Sequence, residues 1–325
     1  MATTVARRER PARLMPMLAA ALRAFFLWLS NRGWMARVAL ATPLLRRMPL
    51  RFVAGTTLDQ AILAVRALNS AGASATLDVL GESVEDRASA DRAAAAYVEA
   101  IARIAAEGLD ANVSIKLSQM GLDLGVDECL AVMAPVVAAG DEHAVFVRID
   151  MESSEATDAT LEVVDRLRAG GHGVGPVIQS YLHRSPADIE RLAAARVRTR
   201  VCKGAYAESP EVAHQDPVAI GDAFVTLCEE LLRADAYPGV ATHDPDMLDR
   251  VATFARERGI GRDRFEFQML YGVRRDLQRR LIEKGYRLRI YVPYGTQWYP
   301  YFMRRLAERP ANVLFVLRSI FGERS

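Results

Sequence analysis

Lysine is nearly missing from this chain: of its 42 basic residues only Lys116, Lys203 and Lys284 are lysine, the rest being arginine. Cysteine is equally scarce. Cys129, Cys202 and Cys228 stand far apart, with no CxxC pair and no histidine spacing of the zinc type. A disulfide framework and a structural metal site therefore lack ligands, and free thiols in a reducing compartment are expected. The apolar run from Leu14 to Leu29 is broken by Arg23, and what remains is too short for a bilayer span, which needs roughly 20 apolar residues. Basic residues precede this run and Ala39-Leu40-Ala41 follows it, but the interruption argues against a secretory signal. No P-loop, GxSxG or HExxH pattern occurs, so nucleotide hydrolysis, serine esterase chemistry and zinc peptidase chemistry lose their usual support.

What is present points to a large globular body. A chain of 325 residues, 51% hydrophobic, can bury a sizeable core in one large domain or two small ones. The formal net charge is +2, yet the first 51 residues hold ten arginines against the single acid Glu9, which makes that segment +9 and the remainder −7. Anionic lipid and nucleic acid are both partners for such an arm, and a solvated basic face is the blander alternative. Because Trp28, Trp34, Phe25 and Phe26 lie among its arginines, the arm is read as a reversible membrane contact, with no nucleic acid partner. A helical lid on the catalytic body is the rival reading. The chain is placed in the cytoplasm, with peripheral contact to the inner face of the cell membrane through the arm.

Residues 14 to 48 read as two or three amphipathic helices broken near Asn31-Arg32-Gly33 and Pro43. From about residue 57, helical stretches of period near 3.6 alternate with short runs rich in Val, Ile and Thr. The strand candidates are 75–80, 112–117, 144–149, 175–180, 197–202, 239–243, 264–269 and 287–292. Patterns such as SPADIERLAAA and PDMLDRVATFARERG separate them, opening on Ser or Asp-Pro and closing on Gly. Eight strands with eight helical partners predict an α/β fold of the (βα)8 TIM-like barrel type over 57–325, preceded by a helical arm over 1–56. A doubly wound sheet is the second choice. The one glycine cluster, Gly170 to Gly175, precedes a strand and lacks the strand-then-helix context of a dinucleotide fingerprint, so it reads as a helix end and turn.

Reactive groups of a βα barrel come from the C-terminal ends of its strands. Here those ends are polar: Lys116 after strand two, Arg148 and Asp150 on strand three, Gln179 on four, Arg200 and Lys203 on five, Thr242-His243-Asp244 on six, Gln268 on seven and Tyr291 on eight. Two of the three lysines fall there, which suggests point charges that a guanidinium does not imitate. In the segment YPYFMRRLAERP, Tyr301, Arg304, Arg305 and Glu308 share one helical face, and Pro300 is tolerable only in the first turn, so this helix begins just before it. Its two arginines can clamp a carboxylate. Lys116, Tyr291 and Tyr301 would complete a pocket for a small anionic substrate, with Asp150 balancing the cations; surface lysines and a solvent-facing arginine pair are the bland alternative.

The blocks IKLSQMG (115–121), IDMESS (149–154), KGAY (203–206), ATH (241–243), FEFQMLYG (265–272), YVPYG (291–295) and YFMRRLAERPAN (301–312) resemble the proline dehydrogenase family, in the expected order over roughly 57 to 320. The short monofunctional bacterial form is the nearest type. The resemblance implies a distorted barrel holding FAD, oxidation of L-proline to Δ1-pyrroline-5-carboxylate by hydride transfer to flavin N5, and electrons passed to a membrane quinone. By motif, it implies that Lys116, Arg304 and Arg305 bind the proline carboxylate while Leu270, Tyr291 and Tyr301 enclose the ring. Asp150 and Arg200 would be the catalytic pair. Met151, Gln179, Arg200, Lys203, Gly204, Ala205, Thr242 and His243 would hold the flavin, and no metal is implied. Cys202 and Ala207 depart from the aliphatic and larger residues expected beside the KGAY segment. Two rivals remain: a Schiff-base lyase or aldolase on the same barrel with Lys116 or Lys203 as nucleophile, and a non-catalytic barrel at a membrane.

Overall fold

The computed structural model describes residues 51–81, 83–299, 301 and 303. Helices and strands alternate without exception: α1 (Leu58–Ser70), β1 (Ser74–Val79), α2 (Arg87–Ala106), β2 (Ala111–Ile115), α3 (Val126–Glu142), β3 (Val147–Ile149), α4 (Thr157–Ala169), β4 (Val174–Gln179), α5 (Ser185–Ala194), β5 (Arg200–Cys202), α6 (Pro217–Arg233), β6 (Gly239–Ala241), α7 (Pro245–Glu257), β7 (Glu266–Leu270), α8 (Arg275–Glu283) and β8 (Leu288–Tyr294). Each strand pairs in parallel with the next, and β8 pairs with β1 to close the barrel. Closure excludes the doubly wound sheet. All eight expected strands are present.

Their ends differ where the backbone forbids the expected extension. Ala144 has φ 55°, so β3 starts at Val147 rather than at 144. β5 also starts late, at Arg200 rather than at 197. At the other extreme β8 runs on to Tyr294, so Tyr291 lies within the strand and not at its end. Pro293 is tolerated there because it pairs through its carbonyl, which accepts from the Ala54 N–H at 2.9 Å.

Local chemistry sets the helix starts. Thr57 and Gln60 form a reciprocal capping box on α1. Asp216 and Asp244 cap α6 and α7, each followed by the expected proline. Ser185 is not the cap of α5 but its first residue, and its hydroxyl donates to the Gln179 carbonyl at 2.6 Å. The glycine cluster does end a helix: Gly170 caps α4, and β4 begins at Val174.

The apolar core lies between strands and helices, where Leu77, Ile115, Ile149, Val201, Val240, Phe267 and Ile290 join helical residues such as Ile101, Val136, Phe224 and Val251 in one cluster. The lumen is different. Its side chains bond across it between strands that are not neighbours, Arg200 of β5 to Ser114 of β2 at 3.1 Å and to Gln268 of β7 at 2.5 Å. Barrel interiors are ordinarily filled with branched apolar residues; this one is filled with a polar and ionic network.

The chain divides into two compact units, Ala54–Gly295, which contains the barrel, and a second that joins Met1–Val53 with Thr296–Ser325. In the second unit Trp298, Tyr299, Tyr301 and Met303 are helical, so the helix begins before position 300, as the sequence predicts. The Trp298 and Tyr299 rings meet edge to face at 5.7 Å. The helices expected over 14–48 lie outside the described residues.

Candidate active site

At the C-terminal mouth of the barrel five ionisable groups converge from distant parts of the chain. Lys116, the residue after β2, sits with its Nζ 3.0 Å from Asp78 Oδ1, 3.5 Å from Asp150 Oδ2 and 3.3 Å from the Tyr291 hydroxyl. Asp150, the residue after β3, accepts from Arg200 at 2.9 Å, from Ser114 at 2.6 Å and from the Tyr291 hydroxyl at 2.8 Å. The expected pair Asp150 and Arg200 is thus in direct contact, with Lys116 and Tyr291 on the other carboxylate oxygen. Asp78, on β1, is fully buried and completes the cluster.

These contacts fix the charge states. Burial alone would lower the Lys116 pKa, but the Asp78 and Asp150 carboxylates raise it above the ordinary lysine value, so the ammonium is held. Burial would raise Asp150; Lys116, Arg200 and the hydroxyls of Ser114 and Tyr291 outweigh it and lower its pKa. Tyr291 is pushed well above its usual value by burial and by the charges of Asp150 and Asp78, so it stays a neutral donor. Two cations and two carboxylates balance within the cluster.

A second group of expected residues lines the β4-to-β7 side of the mouth. Gln179, last on β4, donates to the Glu152 carbonyl at 2.8 Å and accepts from the Ala205 N–H at 3.4 Å. Lys203 faces Asp244 at 3.3 Å. Gly204 has φ +120°, and a Cβ there would lie 2.4 Å from the Tyr181 ring, so the turn after β5 requires glycine on both counts. Thr242 is buried and accepts from the Asp244 N–H at 3.2 Å. His243 Nε2 accepts from the Leu270 N–H at 2.9 Å, which joins the ends of β6 and β7. Met151 is buried beside Asp150, and Leu270 is partly exposed. Tyr301 is buried in the second unit; Arg304 and Arg305 lie outside the described residues.

Reading strand ends alone overlooks Asp78, Ser114 and the network beneath them. Arg200 leads through Gln268 to Glu266, which accepts from Gln268 at 2.6 Å and from Arg289 at 2.8 Å. The signal was available in the alternation of polar and apolar residues in TLDVL, VSIKL, FEFQML and RLRIYV. Parallel strands covered on both faces usually read as continuous apolar runs, so polar residues at alternate positions within such runs mark a polar lumen.

A closed parallel barrel with an ionic cluster at its C-terminal mouth defines this chain as an enzyme of the βα-barrel class. The family described as proline dehydrogenase matches residues 61–318. Proline dehydrogenase of Deinococcus radiodurans is 42% identical over 275 residues, 83% of this chain and 89% of that one. Proline dehydrogenase 1 of Bacillus subtilis (strain 168) is 40% identical over 299 residues, 92% of this chain and 99% of that one. Among solved structures, proline utilization A (PutA) from Bdellovibrio bacteriovorus inactivated by N-propargylglycine superposes with a TM-score of 0.77 at 23% identity, over 86% of this chain. That longer protein is covered over 34% of its length, and the likeness is one of fold. The chain belongs to the proline dehydrogenase family and is an oxidoreductase of the barrel class.

Proposed function

We propose that this protein oxidises L-proline to Δ1-pyrroline-5-carboxylate at the barrel mouth, as the first step of proline catabolism, with FAD as the hydride acceptor and a membrane quinone as the final one. The observation that carries this reading is the cluster of Lys116, Asp150, Arg200 and Tyr291, assembled from three strand regions and β8 around one point. Family membership supplies the substrate.

The donor set suits a flavin. Its carbonyl-bearing ring and pyrophosphate need cations and N–H donors, and the Gln179 amide at the end of β4, the Arg200 guanidinium on the neighbouring β5, and the Lys203 ammonium and Ala205 N–H in the turn after β5 supply them. Gly204 keeps the backbone there free of a side chain. Thr242, His243 and Met151 are assigned to the same group. When bound, FAD supplies the electron sink that no side chain offers.

Lys116 would take the substrate carboxylate and Leu270, Tyr291 and Tyr301 would enclose its ring. The four-charge cluster is already neutral, so an added carboxylate needs further cations, the role given to Arg304 and Arg305. Asp150, with its lowered pKa and its bonds from Arg200, Ser114 and Tyr291, is a poor acceptor for the amine proton. It orients Lys116 and Arg200 instead, and Arg200 favours negative charge at the reacting end.

A Schiff-base lyase requires a lysine deprotonated near neutral pH, and the carboxylates move Lys116 the other way. The arm over 1–56, with its +9 charge in the first 51 residues, is assigned to reversible membrane contact, and the catalytic domain to 57–325. No helix among the described residues is long and apolar enough to cross a membrane. The test is proline-dependent reduction of a soluble quinone analogue by the full chain. Arg200→Ala should lower kcat by roughly a hundredfold, and unchanged turnover would remove Arg200 from the reaction.

A further inference from the structure

Three of the carboxylates facing the lumen are matched one to one: Asp78 by Lys116, Asp150 by Arg200 and Glu266 by Arg289. Arg198 shares Glu266 at 3.4 Å. Arg148 has no carboxylate within ion-pair distance among the described residues, although it is fully buried. Its Nη1 donates to the carbonyls of Pro176 at 3.0 Å and Arg198 at 2.6 Å, while its Nε and Nη2 meet no acceptor there. The guanidinium stacks on Phe146 at 4.8 Å, a ring that Arg198 also approaches at 4.8 Å. Gly175 makes room for it, since a Cβ at that position would lie 3.1 Å from Arg148 Nη1 and 2.1 Å from the Arg198 carbonyl.

A buried cation without a counter-charge is unfavourable, and both burial and the charges of Arg200 and Arg198 bear on it, pulling its pKa down. The strand places it two residues before Asp150, on the same face and one layer deeper. With three pairs neutral, the lumen keeps a surplus of positive charge. The reaction proposed above passes a hydride, two electrons and one proton, from substrate carbon to acceptor, so the acceptor gains one unit of negative charge. A buried cation favours that gain because the low-dielectric interior screens it weakly.

We propose that Arg148 is a positioning residue for the redox step: its unmatched charge beneath Asp150 and Arg200 raises the electron affinity of the flavin held at the mouth. The inference rests on the flavin reading, and the experiment separates the two. Potentiometric titration of the flavin in the full chain is compared between wild type, Arg148→Gln, which removes the charge and can keep a carbonyl bond, and Phe146→Leu, which disturbs the stacking and keeps both charges. Arg148→Gln should weaken two-electron reduction about tenfold, a midpoint lower by about 30 mV, while Phe146→Leu stays at the wild-type value. Should Arg148→Gln not fold, Arg148→Met, which removes the charge and keeps an unbranched side chain of similar length, should lower the midpoint by the same amount. An unchanged midpoint in the arginine variants, or an equal fall in Phe146→Leu, overturns the role of Arg148 alone. A wild-type chain that takes up no flavin overturns the flavin reading as well, before any variant is made.

Discussion

Deep in the lumen the Glu266 carboxylate is 2% exposed and accepts from Arg289 and Gln268, with Arg198 beside it. Burial pushes its pKa up, but the charges of Arg289 and Arg198 and the hydrogen bonds from Arg289 and Gln268 hold it down at about 2 against an ordinary value of 4.5. The folded-state pKa is the lower one, so its stabilisation is fully present above about pH 4.5 and is lost as pH falls toward about 2. That difference corresponds to on the order of 3 kcal/mol. Glu266→Gln should therefore lower Tm clearly at neutral pH, and the gap to wild type should close as the pH falls through that window. Thermal unfolding across it decides the matter; a gap that stays constant would show that the carboxylate charge is not what holds Arg289. At this scale the sequence was partly legible. The lysines stood out against an arginine-rich background, whereas Asp78 and Glu266 looked like ordinary strand residues, because only closure of the barrel brings them to their partners.

At the scale of elements, helices and strands are readable from periodicity and caps, whereas a strand end set by left-handed backbone at a single residue is not. Ala144 shortens β3 from its N-terminal end, and no side-chain pattern announces a positive φ at an alanine. Gly204 is the opposite case, since the residue type itself signals the conformation. Its turn is tied to the one after β4, where the Ser180 and Tyr181 N–H groups donate to the carbonyls of Cys202 and Lys203 at 2.8 and 3.0 Å. Gly204→Ala would force the Tyr181 ring or the turn to move and hold an alanine at unfavourable φ, at a cost of about 1 to 3 kcal/mol. The expected result is a Tm lower by a few degrees together with weaker flavin retention on gel filtration. Wild-type values for both would mean that the turn after β5 is softer than its geometry indicates.

For the whole molecule, the barrel follows from the strand count, and its ionic lumen from the alternation within the strands. What the sequence leaves to folding is the direction in which each polar residue points. The arm carries the other whole-molecule expectation: liposome flotation with anionic lipid should recover the full chain, and a chain starting at about residue 50 much less. Equal flotation would reject a membrane role for the arm. The central claim, that the mouth of this barrel oxidises proline against a bound flavin, is tested most directly by the visible spectrum of the purified full chain under anaerobic conditions. The account predicts a yellow protein whose flavin absorbance bleaches on adding L-proline. A colourless protein, or a flavin that L-proline leaves oxidised, would contradict it.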